Sequence, residues 1–212
     1  TKKIYDVMQK DSAFIMSKDA LSLTKQKKKE YEPIYNVDDV NKSLEYWNEY
    51  TSNEKHIIDE NLTIRFVPSG HILKSYSIEI WITEGNKTYK IYYSSDIGNI
   101  TVPKYYIEPF QKVESANLAI LESTYCDKKR KPVSLITREK DLEKIKKIIK
   151  MTCDEKKGKV LIPIFSYDRL QNILTYIYQL FKDEDFDYPI IIGTPLGCKI
   201  SNIYSEILDG DE

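Results

Sequence analysis

Three cysteines, Cys126, Cys153 and Cys198, are scattered through 212 residues without CxxC spacing, which argues against a disulfide framework and a structural zinc knuckle. The compartment this implies is reducing and cytoplasmic. No apolar run approaches the roughly 18 residues of a membrane span, and the N-terminus lacks a signal-peptide pattern. Lysine and arginine number 32 against 33 acids, a net charge of −1. No whole-domain basic field therefore exists to draw in nucleic acid, and any such groove must be local. Neither GxGxxG nor GxxxxGK[ST] occurs, which counts against a nucleotide-binding α/β domain. Internal repeats and low-complexity tracts are also missing.

What is present is a globular mixture, 41% hydrophobic and 31% charged, long enough for one large domain or two small ones. The chain is organised around residues 62–99. Leu62 to Val67 is apolar and β-branched, and it stops at Pro68-Ser69-Gly70, residues that break a ladder and permit unusual backbone angles. His71, one of two histidines, follows at once. Residues 76–83 alternate, with Ile78, Ile80 and Ile82 on one face, and Tyr89, Ile91 and Tyr93 keep that period beyond Gly85-Asn86, which predicts a hairpin. Ser94-Ser95-Asp96-Ile97-Gly98 comes next. An imidazole and a carboxylate thus stand at strand ends, where function tends to live.

Upstream, the spacing of Ile4, Val7, Met8, Phe14, Ile15, Ala20 and Leu21 predicts a helix from Lys2 to about Lys28. Asn36 caps a second from Val37 to about Tyr46, with Leu44 and Trp47 toward the core. His56 lies in a polar loop with nothing nearby to share a metal, and reads as a structural or surface residue. Downstream, apolar strands at 118–122, 160–165 and 188–193 alternate with amphipathic helices at 138–151, 168–181 and 196–208. That alternation predicts a parallel sheet built by right-handed crossovers. The expected class is α/β, with mixed helices and antiparallel strands first, an α/β layer second, and the join near residues 115–127.

The strings RFVPSGHILKSYSIEI and YYSSDIGN resemble the third and fourth metal-binding motifs of the metallo-β-lactamase fold, in the version used by β-CASP nucleases. LAILESTYCD resembles the first motif of the β-CASP insert, and KVLIPIFSYDRLQNIL its strand-then-helix core. The resemblance implies the later part of a metallo-β-lactamase αββα sandwich at residues 1–117, followed by the start of a β-CASP parallel-sheet α/β domain at residues 118–212. It implies a ribonuclease that hydrolyses RNA phosphodiester bonds with two zinc ions in the complete enzyme, DNA being the alternative polymer. His71 would bind one zinc, Asp96 would bridge both, and Glu122 would orient a histidine supplied from the later β-CASP region. Taken alone, His71 is more often a satisfied turn histidine than a ligand, and Asp96 more often a turn cap.

The chain departs from the family pattern at Lys74, which replaces the glycine of the GHILGS form, and at Cys126, which replaces the glycine after LESTY. His-x-His-x-Asp-His does not occur, both ends of the pattern are missing, and the chain opens on Thr1. A fragment is therefore expected, with little stoichiometric zinc and no nuclease activity by itself. Lys128, Lys129, Arg130 and Lys131 form the one compact basic cluster, and Arg169 stands at a helix N-terminus. Both are candidates for RNA backbone contact, against the plainer roles of solvated lysines and helix capping. The competing function is a non-catalytic module of the same fold that binds RNA or a protein partner.

Overall fold

The computed structural model describes residues 1–99, 106–129 and 134–210; the candidate residues Arg130 and Lys131 lie outside the described residues. Among the described residues the chain forms five α-helices and one five-stranded mixed sheet, a mixed α/β architecture. It divides into two compact units, residues 1–49 with 165–167 and 191–212, and residues 50–164 with 168–190.

In the first unit, α1 (Lys2–Lys27) starts on Thr1, whose side chain accepts from the Ile4 amide, and stops where Lys28 turns left-handed at φ +51°. Lys25 and Lys27 occupy its last turn, where cations suit the helix dipole. Asn36 and Asp39 form a capping box at the start of α2 (Val37–Ser43), which continues as a 3₁₀ turn, Leu44–Tyr46. Trp47 packs on the Tyr5 ring, centroids 5.2 Å apart, so it is only partly buried. The last helix, α5 (Pro195–Asp209), has the N-cap Thr194, proline in its first turn and Gly210 at φ +83° past its end. Those are the residues that start and stop a helix. Ile200, Ile203 and Tyr204 are buried along α5, and the Lys3–Glu206 ion pair of 2.8 Å joins it to α1.

The second unit holds the sheet. Strands β1 (His56–Ile57), β2 (Leu62–Pro68), β3 (Tyr76–Glu84), β4 (Lys87–Tyr93) and β5 (Leu118–Ile120) run in that order across it. The first three neighbouring pairs are antiparallel, and β5 is parallel to β4. Glu84 pairs with Lys87 across a two-residue turn in which Gly85 takes φ +60°, the conformation a tight hairpin requires.

Register assigns the side chains to two faces. Ile64, Ile80 and Ile91 stand opposite one another, as do Phe66, Ile78 and Tyr93, and β5 continues that face with Leu118 and Ile120. The other face carries Thr63, Trp81 and Lys90 in one row and Arg65, Glu79 and Tyr92 in the next. Burial runs against the simple expectation from alternation. Ser77 and Glu79 are enclosed, whereas Ile82 is 40% and Leu118 52% exposed. Glu79 has no exposure, and side chains of its own row and the next meet it: its carboxylate takes Arg65 on one oxygen and Lys90, at 2.5 Å, on the other.

Helices α3 (Leu135–Lys150) and α4 (Arg169–Phe181) pack through Ile149, Ile177 and Phe181, with Ile173, Phe186 and Tyr188 around them. Asp154 accepts the Tyr188 hydroxyl at 2.7 Å, and that bond pushes the phenol up to about 12.

The predicted strands at 160–165 and 188–193 do not form, and with them the parallel sheet of the later half is missing from the described residues. A strand needs a neighbour for its backbone groups. These runs have none, and Leu161 and Ile191 stand 89% and 87% exposed. The run at 118–122 does form a strand, but it adds to the antiparallel sheet beside β4 and is the source of the one parallel pairing.

Candidate functional site

Two turns meet at one end of the sheet. The first leaves β2 at Pro68 and returns to β3 at Tyr76, and serine hydroxyls stitch it together. Ser69 Oγ donates to Ser75 Oγ at 2.9 Å, and Ser75 Oγ also accepts from the Ile72 amide at 3.0 Å. Gly70 has φ +71°, and a Cβ there would lie 2.7 Å from the Phe110 nitrogen. Lys74 takes φ +58°, which accounts for glycine at this place in the family pattern. A residue with a Cβ pays about 1 kcal/mol for such a backbone.

The second turn leaves β4 at Tyr93. Its Gly98 amide donates to the Ser69 carbonyl at 2.9 Å, and a Cβ on Gly98 would come within 1.6 Å of the Gly70 oxygen. Only glycine permits that approach. The contact fixes the two turns on each other, and it leaves His71 Nε2 and Asp96 Oδ2 3.8 Å apart. Both side chains reach solvent, the aspartate more than the histidine.

Glu122 follows β5 and closes the same end. Its Oε1 accepts from the Ile97 amide at 3.1 Å and its Oε2 from the Thr124 amide at 3.2 Å, while its own amide donates to Ser94 Oγ at 2.9 Å. The Ile97 bond, ahead of those from Thr124, holds the carboxyl below its ordinary range, and the nearby His71 ring adds to the effect. The structure thus brings together His71, Asp96 and Glu122. Lys128 and Lys129 stand exposed beyond the turn after Glu122, Lys128 5.6 Å from the Tyr125 ring. Arg169 is exposed at the start of α4, next to a buried Asp168 held at φ +62° whose Oδ2 accepts from Asn172 Nδ2 at 2.9 Å. His56, outside any motif, bonds the Thr51 carbonyl through Nε2 at 2.6 Å and packs on Tyr50.

Reading the sequence missed the supports of this arrangement. Gly98 and Ser94 lie within the quoted YYSSDIGN string, and the signal was there in the glycine two places after the aspartate. The contact that uses it is with a backbone far away in sequence.

Two donors fit part of a zinc shell. On a tetrahedral ion with bonds of about 2 Å, neighbouring donors stand about 3.3 Å apart, close to the observed 3.8 Å. Zinc takes about four ligands, and among the described residues no group of three or more His, Cys, Asp or Glu is placed to hold a metal ion.

No family model matches the chain. An RNase J-like protein of Methanocaldococcus jannaschii is 34% identical over 193 residues, taking in 89% of this chain and 41% of the relative. The chain spans about two fifths of that relative's length. The relative's name fits the resemblance carried by the motifs at His71, Asp96 and Glu122.

Proposed function

We propose that the chain is part of a zinc-dependent β-CASP ribonuclease, with His71 and Asp96 as metal ligands and Glu122 beside them. The observation that carries this reading is the lock between Gly98 and the Ser69-Gly70 turn, which sets an imidazole and a carboxylate 3.8 Å apart at the end of a sheet. The RNase J-like relative supports RNA as the substrate. The apolar face, on which Ile82, Tyr93, Leu118 and Ile120 reach solvent, supports the sandwich architecture, in which such a face is covered by a second sheet about 10 Å away. Residues 1–117 then belong to the metallo-β-lactamase part and residues 118–212 to the β-CASP part. A reducing, cytoplasmic setting goes with this reading. No helix among the described residues is long and apolar enough to cross a membrane.

Zinc, when bound, supplies a hydroxide nucleophile and neutralises charge developing on the phosphate. This chain's residues hold and orient. His71 and Asp96 offer the two donors, and the turn lock fixes their separation. Glu122 accepts one backbone amide per oxygen, and a carboxylate has about four acceptor positions. It keeps capacity to align an incoming histidine while it steadies the backbone beside Asp96. Lys128, Lys129, Arg130, Lys131 and Arg169 are the proposed contacts to the RNA backbone.

The test has two arms. In the complete protein, Asp96→Ala and His71→Ala are each expected to lower cleavage of a single-stranded RNA by 100-fold or more, since ligands matter at least as much as the residues supporting them, which contribute about 10–100-fold. Wild-type rates in both variants would overturn the assignment. The 212-residue chain alone, dialysed against trace zinc, is expected to hold well under one ion and to leave RNA intact; two tightly held ions would reverse that expectation. The two-donor geometry also favours a second reading, a non-catalytic RNA- or protein-binding module, marked by binding without cleavage in the complete protein.

A further inference from the structure

Trp81 lies in β3, the middle strand of the sheet, between Thr63 of β2 and Lys90 of β4 and on the face opposite the isoleucines. Three cations surround its ring: Lys55 Nζ at 4.3 Å from the centroid, Lys90 Nζ at 5.4 Å and the Arg65 guanidinium at 6.0 Å. One carboxylate stands among them. It is Glu79, which has no exposure and whose two oxygens are turned to Arg65 and Lys90. A ligand arriving from solvent therefore meets positive charge and an indole, with the acid beneath. Lys55 is exposed and, among the described residues, makes no ion pair, so its charge is available. In a chain of net charge −1 this is a local surplus of the kind a balanced protein needs in order to hold a polyanion.

Trp81 is half-buried, with the Lys55 ammonium over its ring; a partly accessible aromatic ring with cations around it is a combination that binds single-stranded nucleic acid, since bases stack on the ring and phosphates meet the cations. We propose that the Trp81 surface is a binding site for a single-stranded RNA segment, with one base stacked on the indole and the adjoining phosphate on Lys55. The choice of RNA rests on the functional reading above; the site does not. Five residues of β3 separate Trp81 from Tyr76 at the His71 end, about 17 Å at about 3.4 Å per residue. The site would grip the strand away from the centre that cuts it.

Binding of a fluorescein-labelled 12-nucleotide oligouridylate to the chain, followed by anisotropy, tests this. Stacking contributes about 5- to 150-fold per base, so Trp81→Leu is expected to weaken binding at least 5-fold. An abasic oligomer should bind wild type no better than the oligouridylate binds that variant. Lys55→Glu, at an exposed side chain, is expected to weaken binding at least 3-fold, and Lys55→Ala to reduce the salt slope by about one. Cleavage of the same oligomer by the complete protein, read beside binding, separates the two readings: the binding losses of Trp81→Leu and Lys55→Glu are expected whether or not RNA is cut. Binding within twofold of wild type for both Trp81→Leu and Lys55→Glu would overturn the proposal. So would equal binding of an oligoglutamate of the same length, which would make the surface a docking site for acidic peptides.

Discussion

The two faces of the central sheet invert the usual distribution of polarity. One carries an enclosed carboxylate, Glu79, beneath the partly exposed Arg65 and Lys90, with Ser77 and Tyr92 beside it. The other carries isoleucine, tyrosine and leucine in register, and much of it faces solvent. The difference shows where the sheet's own side chains suffice. Long cationic stems lie over the polar face and cover it, because lysine and arginine bury their methylenes while the charged ends find partners. Short branched side chains cannot cover their neighbours, so the apolar face needs another layer. A contiguous apolar patch of that kind marks an interface.

The sharpest way to break this comparison is to remove the one acid from the polar face. Glu79→Gln leaves Arg65 and Lys90 facing each other over a buried amide. A buried pair broken from one side costs about 3 kcal/mol or more, and urea unfolding should show a loss of that size. A loss below about 1 kcal/mol would mean that the two cations reach water and that the cluster is not what encloses this face.

At the end of the sheet that carries the site, Glu122→Gln has a smaller effect. The amide keeps one acceptor for the Ile97 or Thr124 N–H and loses the other, a cost of about 1 kcal/mol. The sign with pH follows from the lowered carboxyl pKa. The wild-type carboxylate adds stability above the ordinary carboxyl range, and that increment disappears as pH falls through the lowered value. The wild-type advantage over Glu122→Gln should therefore be full at neutral pH and vanish in acid. An advantage that is the same at both ends of the titration would show that the two amide bonds do not depend on the charge.

Much of the sheet could be read directly because its signals are local. Period-two alternation and Gly85-Asn86 define the β3–β4 hairpin, and Pro68-Ser69-Gly70 ends β2 where the structure ends it. The helix start at Asn36 follows from capping chemistry. What escaped was settled by partners distant in sequence. The cover over Glu79 comes from Arg65 and Lys90 across two registers, which alternation alone would assign to solvent. Residues 160–165 and 188–193 have strand composition, yet composition supplies no neighbour. At the site, the types and turn positions of His71 and Asp96 were legible, and the Gly98–Gly70 approach that sets their distance was not.

The smallest expected effect probes the apolar face. Ile82 sits near the hairpin end of β3, opposite Leu62 and Tyr89, and is 40% exposed. Ile82→Thr keeps the β-branch that suits a strand and removes apolar surface that the chain leaves in water. Its cost should stay within about 0.5 kcal/mol, the range for surface positions. The same change at Ile80, in the half-buried row with Ile64 and Ile91, should cost more, because the hydroxyl would be enclosed between neighbours without a partner. Unfolding midpoints of both variants, measured at two protein concentrations, decide the matter. Equal large losses that grow with concentration would mean that copies of the chain cover this face for one another, since association adds stability by mass action. A graded, concentration-independent pair of losses would place the burial within one chain, leaving the isoleucine face open to whatever layer completes the fold.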